Sequence, residues 1–248
     1  MTRNTVPIGL QLYSLRDLSS RDLFLSLEKA KEQGYSFVEF AGFFGKSAEE
    51  VRNRLEALGL KVSGTHTGLP LLEADTLEET LRFHRTIGCD TVVIPWAEMK
   101  TDDRLDALIK RINELERLLT PLGFTLAYHN HSHEFVPTPS GAIPYEQLIA
   151  RTDIRLELDT YWAFAAGKDP VALLKRLGDR VTAIHIKDGT PDGHGMPLGM
   201  GSAPVAAVYA EAKARGLPII VESETQTPDG PTETGICIQY LKKLEGSL

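Results

Sequence analysis

An eight-stranded parallel (β/α)₈ barrel is the fold class this sequence predicts, and three observations predict it. Short apolar runs alternate with amphipathic helical stretches, and the alternation reaches eight of each. The chain has 248 residues, close to the roughly 250 of a typical barrel, so one domain over residues 1–248 is expected. Four of the later apolar runs end on acidic or imidazole side chains, at the strand ends where barrels gather their chemistry. A doubly wound open sheet is the competing arrangement. It would place a glycine-rich nucleotide turn after the first strand, where Tyr13-Ser-Leu-Arg-Asp17 stands instead.

The first strand is read over 8–13, after Pro7. Ser19, Ser20 and Asp22 are cap-type residues ahead of Leu23, Phe24, Leu27 and Ala30 at helical spacing, and Gly34 stops that helix. The second strand is 37–40. Ser47 with Glu50 three residues later reads as a capping box opening a helix over 48–58, which Gly59 closes. A third strand over 60–65 runs into His66, and Asp75 is the expected cap of a helix through Ile87. The fourth strand, 91–94, is stopped by Pro95. From 101 to 119 the apolar positions Leu105, Leu108, Ile109, Ile112, Leu115, Leu118 and Leu119 step by three and four, which predicts a long amphipathic helix ended by Pro121 and Gly123.

The fifth strand opens at Thr125 and leads into Tyr128-His-Asn-His-Ser-His-Glu-Phe135. A Pro/Ser/Gly loop and a short helix through Ala150 follow, then a sixth strand over 154–158. Asp169 caps a helix whose first position is Pro170, running to Leu177 and closing at Gly178. The seventh strand is 181–186. A glycine-rich excursion over 189–201 precedes a helix over 204–214, an eighth strand over 218–222 and a last helix over 232–244.

Composition narrows the function classes. Hydrophobic residues make up 42% and charged residues 25%, an ordinary globular balance. A net charge of -7 opposes binding to a phosphate backbone, so no nucleic-acid partner is expected. Cys89 and Cys237 provide no framework of bridges and are read as free thiols in a reducing compartment. The first residues lack an export signal and no apolar run approaches 18 residues, so a cytoplasmic chain without membrane contact is expected. A homo-oligomer stays open.

The chemistry is expected where the strands end. His129 and His131 share one face of a strand, followed by His133 and Glu134. Leu156-Glu-Leu-Asp159, Ala183-Ile-His185-Ile-Lys187-Asp188 and Ile219-Ile-Val-Glu222-Ser-Glu224 end in the same manner, and His66 ends the third strand. In a barrel these groups converge on one face. Oxygen-rich sites with one or two imidazoles suit Mn²⁺, Mg²⁺, Co²⁺ or Zn²⁺, so one divalent metal ion is expected. Trp96, after the fourth strand, is read either as a surface that stacks on a sugar ring or as rim packing, and Trp162 with Phe164 likewise. Lys187 either polarises a substrate oxygen or pairs with Asp188 or Glu224. Glu224 shares the strand face of Glu222. His84 and Cys89 are read as structural.

With these motifs the chain resembles the sugar phosphate isomerase/epimerase superfamily, which has the xylose-isomerase-like TIM barrel and includes ketose 3-epimerases and inosose dehydratases. The resemblance covers essentially the whole chain. It implies metal ligands at Glu134, Asp159, His185 and Glu222, with Glu134 and Glu222 also moving the proton. Read from position, Trp96, His129, His131 and Lys187 are candidate substrate contacts, and His66 either contacts substrate or makes a structural hydrogen bond. The implied activity is isomerisation or epimerisation of a sugar or keto-sugar through a metal-stabilised enediolate. Loss of a β-hydroxyl from the same enediolate is the alternative, a dehydratase or lyase acting on a keto-inositol or 3-keto-glycoside.

One departure matters. Ketose epimerases place the first glutamate within strand five, about where His129 stands, whereas this chain offers Glu134 beyond the strand. His129 and His131 are the substitute ligands. The His-Asn-His and Glu-Phe form is closer to the inosose dehydratase and keto-sugar branch. A repair nuclease on the same barrel is disfavoured by acidity and a single ligand set, and a non-catalytic sugar-binding barrel is the other rival. Residues 189–201 contain no Lys or Arg, and the loop after Glu222 adds Glu224, Asp229 and Glu233, so an unphosphorylated substrate is expected.

Overall fold

The structure is a computed structural model that describes residues 6–247. Its eight parallel strands are Ile8–Gln11, Phe37–Phe40, Lys61–His66, Thr91–Ile94, Thr125–His129, Arg155–Asp159, Val181–Ile186 and Ile219–Val221. Each pairs with its neighbours in the chain, and the eighth pairs with the first through Ile8↔Ile219, so the sheet closes into a barrel. Closure removes both sheet edges and aims all eight strand C-termini at one mouth.

Local chemistry accounts for the helices between them. Asp22 Oδ1 accepts from the amides of Phe24 and Leu25 and opens the helix Leu23–Gln33, which Gly34 ends in the left-handed region at φ 96°. Ser47 and Glu50 form the expected reciprocal capping box on Ala48–Leu58. Thr101 caps Asp102–Leu119, whose buried stripe is Leu105, Leu108, Ile109, Ile112, Leu115 and Leu119. Asp169 and Pro170 open Pro170–Leu177 as read.

The differences have local causes. The first strand stops at Gln11, because its side chain accepts from the Tyr13 amide and turns the chain into the 3₁₀ helix Leu12–Leu15. Asp75 is not a cap: the Thr76 hydroxyl is drawn back to the Pro70 carbonyl at 2.9 Å and the helix begins at Leu77 without a side-chain cap. A helix at Thr160–Ala165 was not expected; Asp159 itself caps it by accepting from the Trp162 amide at 2.8 Å. The glycine-rich excursion forms a two-stranded ribbon, Asp188–Gly189 against Gly195–Met196. Asp188 holds that excursion by accepting from the amides of Gly189, Gly199, Gly201 and Ala203. Both cysteines are buried free thiols, and no described helix is long and apolar enough to cross a membrane.

His84 is a structural histidine. Its Nδ1 faces the Thr80 carbonyl at 2.7 Å, and its Nε2 meets the hydroxyls of Thr65 and Thr67. Burial lowers its pKa, offset in part by the Thr80 bond. A depressed histidine stays neutral in the folded state while the unfolded chain takes a proton near pH 6.5, so its stabilisation is intact above that value and is lost as pH falls below it toward the lower folded-state pKa. Thermal melts of wild type and His84→Gln at pH 8 and pH 5 test this. The wild type should lose more of its midpoint on acidification; equal losses would refute it.

Candidate active site and metal centre

Period-two alternation sorts each strand into an outer face under the helices and an inner face. Val38 and Phe40, Leu126 and Tyr128, Leu156 and Leu158, Ile184 and Ile186, and Ile219 and Val221 belong to the main apolar cluster. The residues between them are Glu39, Ala127, Glu157, His185 and Ile220, and His129, Asp159, Lys187 and Glu222 continue that inner face toward the mouth. The inner face is therefore where the charge lies, and its polar groups are almost wholly buried.

They form two layers. In the layer nearer the mouth, His129, Asp159, His185 and Glu222 each offer one ligand atom, all within 4.8 Å of one another. His185 Nδ1 lies 3.2 Å from Glu222 Oε2, and His129 Nε2 lies 3.9 Å from Asp159 Oδ2. The Lys187 ammonium sits among the carboxylates, 3.0 Å from Glu222 Oε2, 2.7 Å from Glu224 Oε1 and 3.5 Å from Asp159 Oδ2. Both alternatives considered for Lys187 bear on this: it pairs with Glu224, and with Glu222 instead of Asp188.

The deeper layer was missed by reading the sequence. Glu39 Oε2 lies 2.7 Å from His185 Nε2 and accepts from Gln11 Nε2 at 2.7 Å. Glu157 Oε2 lies 2.9 Å from His66 Nε2, 3.2 Å from His185 Nε2 and 3.3 Å from His129 Nδ1. An acid inside the apolar runs Phe37-Val-Glu39-Phe and Leu156-Glu157-Leu was the available signal, because an unpaired carboxylate in a barrel interior would be prohibitively costly.

Electrostatics separates the groups. Burial raises the Glu157 carboxyl, helped by the Glu39 charge, to about 7. Burial also opposes ionisation of Glu39, but His66 and His185 overcome it and hold Glu39 at about 2. Burial lifts Asp159 to about 6 against the pull of Lys187. Glu222 is desolvated too, yet Lys187 and His185 keep it well below the usual carboxylate range. Burial depresses His131 to about 4, and Lys187 adds to the effect. The Lys187 ammonium is raised despite burial by Glu222, Asp159 and Glu224.

Glu134 stands apart from this cluster. Its Oε1 accepts from the Tyr128 hydroxyl at 2.9 Å and its Oε2 from the His131 amide at 2.8 Å, with His133 Nδ1 at 3.4 Å. It groups with His131 and His133, while His129 completes the set of Asp159, His185 and Glu222. The 3₁₀ turn His133–Phe135 carries Glu134 behind the strand end and onto the Tyr128 side.

A cavity of about 420 Å³ opens above the mouth, lined by Tyr13, His66, Trp96, His129, His131 and Glu222 among others. Trp96 is 51% exposed at its rim. A smaller cavity of about 190 Å³ flanks it, bounded by Trp162, Lys187, Glu222 and Glu224. Phe164 is not among the lining residues of either. A larger open depression, about 1010 Å³, lies at the opposite end beside Thr125 and Arg155 and holds none of these groups.

The inner face fits a divalent ion. Asp159 Oδ2 is buried without a hydrogen-bond partner. A mixed oxygen and nitrogen donor set of this type suits a divalent ion of the Mg²⁺ to Zn²⁺ range. In a closed parallel barrel this mouth is where functional sites are built, and here it gathers imidazoles and carboxylates.

The chain belongs to the xylose isomerase-like TIM barrel family, which matches residues 27–244. It is 28% identical over 189 residues to an inosose dehydratase of Geobacillus kaustophilus, an alignment covering 65% of this chain and 60% of that protein's length. Among solved structures, a sugar phosphate isomerase/epimerase from Parabacteroides distasonis superposes with a TM-score of 0.82 at 24% identity, covering 96% of this chain and 98% of the other. A probable 3-DHS dehydratase from Bacillus anthracis superposes with a TM-score of 0.75 at 16% identity, covering 95% and 98%. At these identities the superpositions speak to the fold.

Proposed function

We propose that the chain is a divalent-metal-dependent dehydratase acting on an unphosphorylated keto-inositol or a related cyclic keto-sugar. The observation that carries the reading is the position of Glu134. Epimerisation needs a base on each side of the reacting carbon, and both Glu134 oxygens are engaged away from the cavity. The carboxylates that do line it, Glu222 and Glu224, both leave the end of the eighth strand, and Glu224 Oε1 accepts from Lys187 at 2.7 Å; Glu222 with His66 then gives a base and an acid, which suits elimination of water. The similarity to an inosose dehydratase supports the same choice over an isomerase or epimerase.

His129, Asp159, His185 and Glu222 would hold the ion, with Glu134 too far committed to join them. When bound, the ion supplies Lewis-acid stabilisation of negative charge on the substrate's carbonyl oxygen. Glu222 takes the proton from the carbon next to the carbonyl. Both of its contacts, from His185 and Lys187, are made through Oε2, which leaves Oε1 for that transfer. The electron pair moves into the adjoining carbon–carbon bond as the β carbon–oxygen bond breaks. The hydroxyl leaves as water with a proton from His66, whose affinity for protons Glu39 and Glu157 raise against its burial. Trp96 offers the apolar face of a ring a stacking surface, and Lys187 orients hydroxyl oxygens.

The reaction test is incubation with a keto-inositol in deuterated water plus Mn²⁺ or Co²⁺. An unsaturated ketone one water lighter is expected; inversion at the α-carbon without water loss would instead establish an epimerase. The metal test is elemental analysis of Asp159→Ala and His185→Ala. Wild type should carry about one ion and both variants should lose it, and full occupancy in both would sink the site. A paired assay of free and phosphorylated ketoses addresses the charge of the substrate. A clear preference for the phosphorylated member would overturn that part of the reading.

A further inference from the structure

The deeper carboxylates are built into the barrel with unusual care, and the proposed reaction does not consume them. Glu39 is fully buried at the end of strand two, and Glu157 within strand six. Both stand at register shifts: strand two slips against strand three between Val38 and Glu39, and strand six slips against strand seven between Leu156 and Glu157. A bulge re-aims the side chain at which it occurs. Gly64 supplies the space, since a Cβ there would come within 2.8 Å of Glu39 Oε1.

What these carboxylates touch is the inward nitrogen of each imidazole. His185 presents Nε2 to Glu39 at 2.7 Å and Nδ1 to Glu222 at 3.2 Å. His129 presents Nδ1 to Glu157 at 3.3 Å and Nε2 toward Asp159 at 3.9 Å. Each ring therefore spans the layers, its inner nitrogen on a deep carboxylate and its outer nitrogen among the candidate ligands. The chain from Gln11 through Glu39 to His185 joins residues from strands one, two and seven across the barrel.

We propose that Glu39, with Glu157 Oε2 at 3.2 Å from the same nitrogen, is a positioning residue that fixes the tautomer and orientation of His185 through Nε2, so that His185 Nδ1 faces the ion. This rests on the metal reading above. A carboxylate behind a metal-bound imidazole holds the proton on the rear nitrogen and makes the front one a better donor, and removing such a partner typically weakens metal affinity about 10–100-fold.

The experiment is calorimetric titration of Mn²⁺ into wild type, Glu39→Gln and Glu39→Leu, with circular dichroism to confirm folding. Nitrogen-15 histidine spectra of the Zn²⁺-loaded proteins accompany it. Glutamine retains an acceptor oxygen and loses the charge, so it should weaken binding by about tenfold; leucine should reach about a hundredfold. In wild type His185 should carry its proton on Nε2 and its metal on Nδ1, and this assignment should be lost in Glu39→Leu. A merely structural glutamate would not move that signature. If Glu39→Leu fails to fold, Glu39→Gln and Glu157→Gln carry the test. Wild-type affinity in both glutamine variants, or His185 bound through Nε2, overturns the inference while leaving the metal site standing. A wild type that takes up no Mn²⁺ or Zn²⁺ overturns both.

Discussion

Glu222→Gln should keep the barrel folded and lose about 10² to 10⁴ in turnover, the usual worth of a positioned acid or base. Glutamine preserves the shape that packs beside His185 and Lys187, so the circular dichroism spectrum should be unchanged. What it removes is the basic oxygen, in a site where Lys187 and His185 keep the native carboxylate ionised in spite of burial. On the proposed ligand set, part of the loss comes through weaker metal binding. Measuring turnover at saturating Mn²⁺ separates the two contributions, because the affinity defect is then suppressed and the proton-transfer defect is not. Wild-type turnover in the variant under those conditions would remove Glu222 from the reaction.

Lys187→Met should destabilise the metal-free protein by about 3–5 kcal/mol, the cost of breaking a buried ion pair from one side. The ammonium is buried within 3.5 Å of three carboxylates, Asp159, Glu222 and Glu224. Methionine fills the volume of the stem but leaves those charges without their nearest cation. A divalent ion would supply positive charge to the same oxygens, so saturating Mn²⁺ should recover much of the lost stability. Denaturant melts with and without the ion measure both effects. A variant as stable as wild type when metal-free would mean that Lys187 is not what compensates this cluster.

Much of the scaffold was legible because its signals are local. Period-two apolar runs, the Ser47/Glu50 capping box and the Asp169/Pro170 start each depend on residues a few positions apart. Errors fell where a side chain found a partner that spacing does not reveal, as Thr76 did at Pro70 and Gln11 at the Tyr13 amide.

For the site, the alternation within each strand was enough to place Asp159, His185 and Glu222 on inner faces, and parallel closure then brings them to one mouth. Glu134 shows the limit of that reasoning. It lies five residues past His129, beyond the reach of strand periodicity, and only the turn that seats it on Tyr128 places it with His131 and His133, while His129 lies with Asp159, His185 and Glu222. The deep layer shows the limit more sharply. Sequence put an acid in the second strand and a histidine in the seventh, 146 positions apart, but their 2.7 Å contact exists only because the barrel closes and its register brings the two inward side chains level. Side-chain direction along a strand is fixed by the strand itself, whereas which inward side chains meet is fixed by closure and register, and those belong to the tertiary structure.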